Sequence, residues 1–109
     1  MDDQELLKNT VLELRRGVIV LAVLSQLTEE QYGYSLMKLL SDKGLEVDQG
    51  TLYPLLRRLE SQGLLSSDWR VGEDRPRRYY VISEGGKKVL PQLKEEWTAL
   101  VATLDRMLG

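Results

Sequence analysis

The apolar residues change period at Gly63. Before it they recur every three or four positions: Leu7, Val11, Leu14, Val18 and Leu21, then Leu36, Leu39 and Leu40, then Leu52, Leu55, Leu56 and Leu59. That spacing lays each set along one stripe of an α-helix. After Gly63, Leu65, Ser67, Trp69 and Val71 alternate with Leu64, Ser66, Asp68 and Arg70, and Arg78, Tyr80 and Ile82 alternate with Arg77, Tyr79 and Val81. Alternation of this kind is the pattern of a strand, and Gly72-Glu73-Asp74-Arg75-Pro76 supplies turn residues for a hairpin between the two runs. Three helices must therefore pack with one short ribbon.

Start and stop signals set the boundaries. A first helix is expected over 3–27 behind Asp2 and Asp3, with a break near Gly17 as one option. A second is expected over 30–43, capped by Thr28 and stopped by Lys43-Gly44. The third is capped by Asp48 or by Thr51. In the second case Pro54 falls in the first turn and loses no hydrogen bond. Ser83 can cap a last helix over 84–108, where Gly85 and Gly86 weaken the first turn and Pro91 either bends the helix or marks its true start. The order helix, helix, helix, strand, strand, helix predicts a mainly α fold with a small β-hairpin. This is a winged helix-turn-helix with additional N- and C-terminal dimerisation helices. At 109 residues it forms a single domain, with 30–83 as reading helices and wing.

Composition narrows the chemistry. With no Cys and no His, the chain has no thiolate, no disulfide, no usual general base and no common zinc ligand set, so no cofactor or metal is expected. The paired acids Glu29-Glu30 and Glu95-Glu96 are adjacent in sequence and would not face one site on a helix, which argues against a carboxylate enzyme. The longest apolar run, Val18 to Leu24, falls far short of the roughly 20 residues that span a bilayer. The expectation is a cytoplasmic protein without a membrane partner.

Net charge is −2, but it is unevenly spread. Residues 1–49 hold five Lys/Arg against nine Asp/Glu, whereas residues 50–80 hold six cations, all Arg, against four acids. Arginine is the side chain best suited to bidentate phosphate and guanine contacts. With the third helix's leucines turned inward, Thr51, Tyr53, Pro54, Arg57 and Arg58 face outward, and Gln49 stands at the helix start. That face, with Arg75, Arg77 and Arg78 on the hairpin, suits a DNA groove and its backbone. The plainer alternatives are solvated arginines, with Glu60 as local partner on the helix and Glu73 and Asp74 on the hairpin. Tyr34, Trp69 and Tyr80 are read as core or hairpin packing in a chain without Phe.

Gly50-Thr51-Leu52-Tyr53-Pro54-Leu55-Leu56-Arg57-Arg58-Leu59-Glu60 resembles the PadR family of bacterial transcriptional regulators. The resemblance extends to Tyr32-Gly33-Tyr34-Ser35-Leu36, to Gly63-Leu64-Leu65 with Ser67 and Trp69, and to Arg75-Pro76-Arg77-Arg78-Tyr79-Tyr80, covering about residues 14–90. It implies a homodimeric repressor of detoxification, efflux or stress genes, with Thr51, Tyr53, Arg57 and wing arginines at the DNA. Where the family often has glycines before the wing arginine, Glu73 and Asp74 stand here. Phosphate repels carboxylates, which argues against deep insertion and for a wing laid across the backbone, led by Arg77 and Arg78.

The last helix carries a seam spaced 3, 4, 3, 4, 3: Leu90, Leu93, Trp97, Leu100, Leu104 and Met107. This is coiled-coil spacing. Paired with Leu7, Val11 and Leu14 of the first helix, it is read as a dimer interface. Two third helices about 34 Å apart would then meet an inverted repeat on double-stranded DNA. Trp97 fills that interface or, as the resemblance implies for some small members, stacks a planar aromatic effector in a pocket lined by Val18, Leu21, Ala22 and Val101. The competing reading is a winged-helix protein-interaction module without DNA binding, which the acidic balance and acidic wing tip favour.

Overall fold

A computed structural model describes residues 2–72 and 74–109, so the wing-tip Glu73 lies outside the described residues. Among the described residues, four helices and three strands run in the order α1 (Asp3–Gln26), β1 (Gln31–Tyr32), α2 (Gly33–Asp42), α3 (Gln49–Ser61), β2 (Leu65–Val71), β3 (Pro76–Ile82) and α4 (Glu84–Leu108). The β-strands form one antiparallel sheet in the order β1-β3-β2. This is the winged helix-turn-helix arrangement with long helices added at both ends.

The caps decide what the sequence left open. Asp48 is the N-cap of α3, its carboxylate accepting from the Thr51 amide at 3.1 Å. Pro54 therefore lies beyond the first turn, and the carbonyl four residues back, at Gly50, receives no helical hydrogen bond from it. Ser83 caps α4 by accepting from the Gly86 amide at 3.0 Å, and the helix runs through Pro91 rather than starting there. Helix α1 is continuous through Gly17.

One boundary differs from expectation. Helix α2 starts at Gly33 rather than near residue 30, and Thr28 does not cap it. Gln31 and Tyr32 are instead extended and pair with Tyr80 and Tyr79 of β3. The competing force is long-range: β3 would otherwise present a bare edge, and the Tyr32 and Tyr79 rings meet edge to face at 5.5 Å. The hairpin thereby becomes a three-stranded sheet.

The core sits where α1, α2, α3 and the root of the sheet converge. Val23, Leu24, Leu27, Leu36, Leu40, Leu52, Leu56 and Leu59 are essentially sealed from solvent, and Leu65, Tyr80 and Ile82 close it from the sheet. The two glycines opening α4 are there for close approach. A Cβ at Gly86 would stand 2.3 Å from the Leu64 carbonyl oxygen, so α4 can lie on the α3–β2 turn only with glycine at this position. Away from this core the molecule is drawn out, with extents of 52 × 36 × 24 Å and a radius of gyration of 15.8 Å. A compact chain of this length would have a radius near ~13 Å. The long α1 and α4, which touch each other and whose outer residues are exposed, form the arms of the molecule.

Candidate nucleic-acid interface

Helix α3 divides cleanly into two faces. Leu52, Leu55, Leu56 and Leu59 are buried, while Gln49, Thr51, Pro54, Arg57 and Arg58 are exposed. Tyr53 stands between them, half-buried, with its ring laid on the backbone of Gly33. A Cβ at Gly33 would come within 2.6 Å of that ring. Glycine at the start of α2 is therefore what lets Tyr53 lie flat between the two helices. The side chain is part of the packing as well as of the outer face.

The adjacent arginines of α3 point to opposite flanks. Arg57 lines a groove of about 450 Å³ between α3 and the sheet, which it shares with Tyr53, Trp69, Arg75 and Arg78. Arg58 borders a broader groove of about 1130 Å³ running beside α1 and α2, with Thr51 and Pro54. Among the described residues no carboxylate pairs with Arg57, Arg58 or Arg75. The local partner considered for the α3 arginines, Glu60, is engaged elsewhere.

That engagement changes the reading of the wing. Arg78 donates to Glu60 at 2.8 Å and, through Nε, to the Ser67 hydroxyl at 3.0 Å, while Ser67 donates to the other Glu60 oxygen at 2.6 Å. Its guanidinium also lies over the rings of Tyr80 and Trp69, at 5.5 and 5.7 Å. Arg78 thus latches the sheet to the C-terminal end of α3. A half-buried, charge-assisted pair holds it, and it lines the same groove as Arg57 and Arg75. Arg77 is also occupied, lying over the Tyr32 ring at 4.6 Å with Asp74 at 3.7 Å. Arg75 remains exposed at the tip.

The opposite face of the sheet carries a second latch that sequence reasoning missed. Arg70 pairs with both carboxylate oxygens of Glu30 and with Asp68 at 3.2 Å, and it stacks over Tyr79 at 4.7 Å. The Glu30 hydrogen bonds hold the Arg70 guanidinium above even its usual high pKa. This ties the wing to the loop between α1 and α2. Arg70 and Arg77 are directly opposite in register, and each is placed over a tyrosine ring, with acids beside them. Burial raises the Tyr80 phenol above its ordinary pKa, with Arg78 acting the other way, so the ring stays neutral in the sheet core. No local pattern in the sequence signals Glu30 or Glu60, because both partners lie far along the chain.

The arms show the other candidate surface. Leu7, Val11, Leu14, Trp97, Leu100, Leu104 and Met107 are all exposed, Leu14 to 73% and Met107 to 75%. Leu90 and Leu93 differ: they are half-buried and pack on the chain's own core. The lower end of the seam is therefore consumed internally, because α4 leaves the core only after about Leu93. Val18, Leu21, Ala22 and Val101 are half-covered, and Trp97 is exposed. Tyr34 and Trp69 are not core either. They are exposed to 55% and 65%, whereas Tyr80 is 5% exposed.

The transcriptional regulator PadR-like family matches residues 20–92, which span α3 and both latches. The chain belongs to the PadR-like family. A transcriptional regulator of Mycobacterium tuberculosis is 40% identical over 98 residues, 89% of each chain. Among solved structures, a PadR family regulator from Eggerthella lenta is 46% identical, covers 97% of this chain and 95% of its own, and superposes with a TM-score of 0.89. A PadR-like regulator from Bacillus cereus is 29% identical over 89% of this chain and 97% of its own, with a TM-score of 0.75. As a PadR-like protein this chain is a DNA-binding transcriptional regulator and not an enzyme. Among the described residues no helix is long and apolar enough to cross a membrane, and no cluster of acids could hold a metal ion.

Proposed function

We propose that two copies of this chain join through the outer halves of α1 and α4 to form a cytoplasmic repressor that reads an inverted repeat. The observation that carries the DNA contact is the set of exposed arginines on α3 and the wing that no carboxylate holds among the described residues. Arg57, Arg58 and Arg75 have no carboxylate partner among the described residues, while Arg70, Arg77 and Arg78 are held by acids and rings. Gln49, Thr51, Tyr53 and Pro54 share the α3 face with the first two. In this reading α3 enters the major groove, Arg57 and Arg58 grip opposite flanks, and Arg75 meets the backbone from the wing. Arg77 and Arg78 line the same groove as Arg57 and Arg75 and in this reading meet the backbone beside them, steadied by Asp74 and Glu60.

The exposed leucines of α1 and α4 support the pairing, since a second copy would cover them. Trp97 and Val101 with Val18, Leu21 and Ala22 then become walls of a cavity between protomers, suited to a small planar aromatic effector. Such a ligand would relieve repression by favouring one spacing of the two reading units, and only to the extent that it binds the two states differently.

Binding to a duplex selected from random DNA tests the reading helix. Arg57→Ala/Arg58→Ala is expected to lower affinity about a hundredfold and to flatten the salt dependence by about two ion equivalents, with the oligomeric state unchanged. Unchanged affinity in that variant would remove α3 from the interface.

A further inference from the structure

Trp69 is a large exposed side chain that neither the core nor the arms explain. It alternates in register with Leu65 and Ser67, so it belongs to the sheet face that packs on α3. That face leaves the core as the strand runs outward. Leu65 is 3% exposed and Trp69 65%. One face of the indole is covered by the Arg78 guanidinium at 5.7 Å. Arg78 is itself fixed by Glu60 of α3 and by Ser67. The ring is thus mounted on α3 through a chain of contacts, although it sits on the wing. It borders the groove that Arg57 and Arg75 line from either side.

We infer that Trp69 is a DNA-contacting residue of this protein, its open ring face packing against the deoxyribose backbone of the strand held between α3 and the wing. The inference rests on the DNA-binding reading above and assigns the wing's principal apolar contact, with Arg78 as the residue that positions it. The surroundings fit a sugar-phosphate strand on both chemical counts. Arg57 and Arg75, which have no acidic partner among the described residues, line the same groove as the ring and suit phosphate. Between successive phosphates a backbone presents the apolar face of a sugar, which matches an indole. The indole N–H is a donor only and accepts no repulsion from phosphate. An acidic protein partner would satisfy the cations but would leave the aromatic platform without a regular counterpart.

The test uses a fluorescein-labelled duplex from the pool that the wild-type chain selects, followed by anisotropy. Trp69→Ala is expected to bind about tenfold more weakly, and Trp69→Phe to retain most of the affinity because a ring face remains. The slope of affinity against salt should stay at the wild-type value in both, since losing this contact displaces no counterion. In a Trp97→Phe background, where Trp69 is the sole tryptophan, bound duplex should shield its emission from acrylamide. Wild-type affinity in Trp69→Ala would overturn the assignment, as would an emission still open to acrylamide in the complex. A loss accompanied by a flatter salt slope would also overturn it, because Trp69 would then act only by holding the arginines. Loss of self-association with DNA affinity intact would make the patch a protein contact instead. If the wild type selects and binds no duplex, the DNA reading and this inference fall together.

Discussion

The reading unit and the arms use the same residue, leucine, to opposite effect. In α2 and α3, Leu36, Leu40, Leu52, Leu56 and Leu59 are covered by their own chain. In α1 and α4, Leu7, Leu14, Leu100 and Leu104 lie in the open at helical spacing. The polar groups divide the same way. The sheet is latched to α3 by Arg78 and Glu60 and to the α1–α2 loop by Arg70 and Glu30, whereas the ion pairs of the arms are short-range surface pairs such as Arg16 with Glu13 and Lys87 with Glu84. Surface pairs of that kind contribute little. A reading unit with a closed core therefore carries arms whose outer apolar residues their own chain leaves exposed.

Matched truncations should separate the two regions most sharply. Leu56→Ala is expected to lower unfolding free energy by about 2–5 kcal/mol at every protein concentration, as read by denaturant melts. Leu100→Asp/Leu104→Asp should leave the wing and core formed but convert dimer to monomer in sedimentation, and weaken operator binding about a hundredfold by removing the second half-site contact. A monomeric wild type would erase the contrast. Gly86→Ala tests the joint between the regions. Its Cβ would meet the Leu64 carbonyl, and a loss of about 1–3 kcal/mol is expected. The smallest effect belongs to the latch: Glu60→Gln keeps a weaker hydrogen bond to Arg78, so thermal stability should fall by about 1 kcal/mol or less.

What the sequence reveals follows from how far a signal reaches. The leucine stripes, the Asp48 and Ser83 caps and the alternation of β2 and β3 are local, and each appears in the structure within a residue or two. The two-residue strand at Gln31–Tyr32 depends on tyrosines almost fifty positions later, and local cap residues pointed to helix instead. Arg78 shows the same limit at the site: charge density marks it as a cation for DNA but does not reveal its pairing with the distant Glu60. Trp69 shows another. Alternation assigns the correct face, yet only the point where that face leaves the core decides whether an aromatic is buried. The α4 seam likewise gives its spacing without saying that Leu90 and Leu93 are covered from within.

The central claim is that the arms bring two reading units onto one duplex. Selection of bound sequences from randomised DNA by the wild-type chain, followed by footprinting of the enriched site, tests it most directly. The account predicts an inverted repeat whose half-site centres lie about one helical turn, or a multiple of it, apart, with both halves protected together. Enrichment of a single half-site without symmetry, or no enrichment at all, would contradict it.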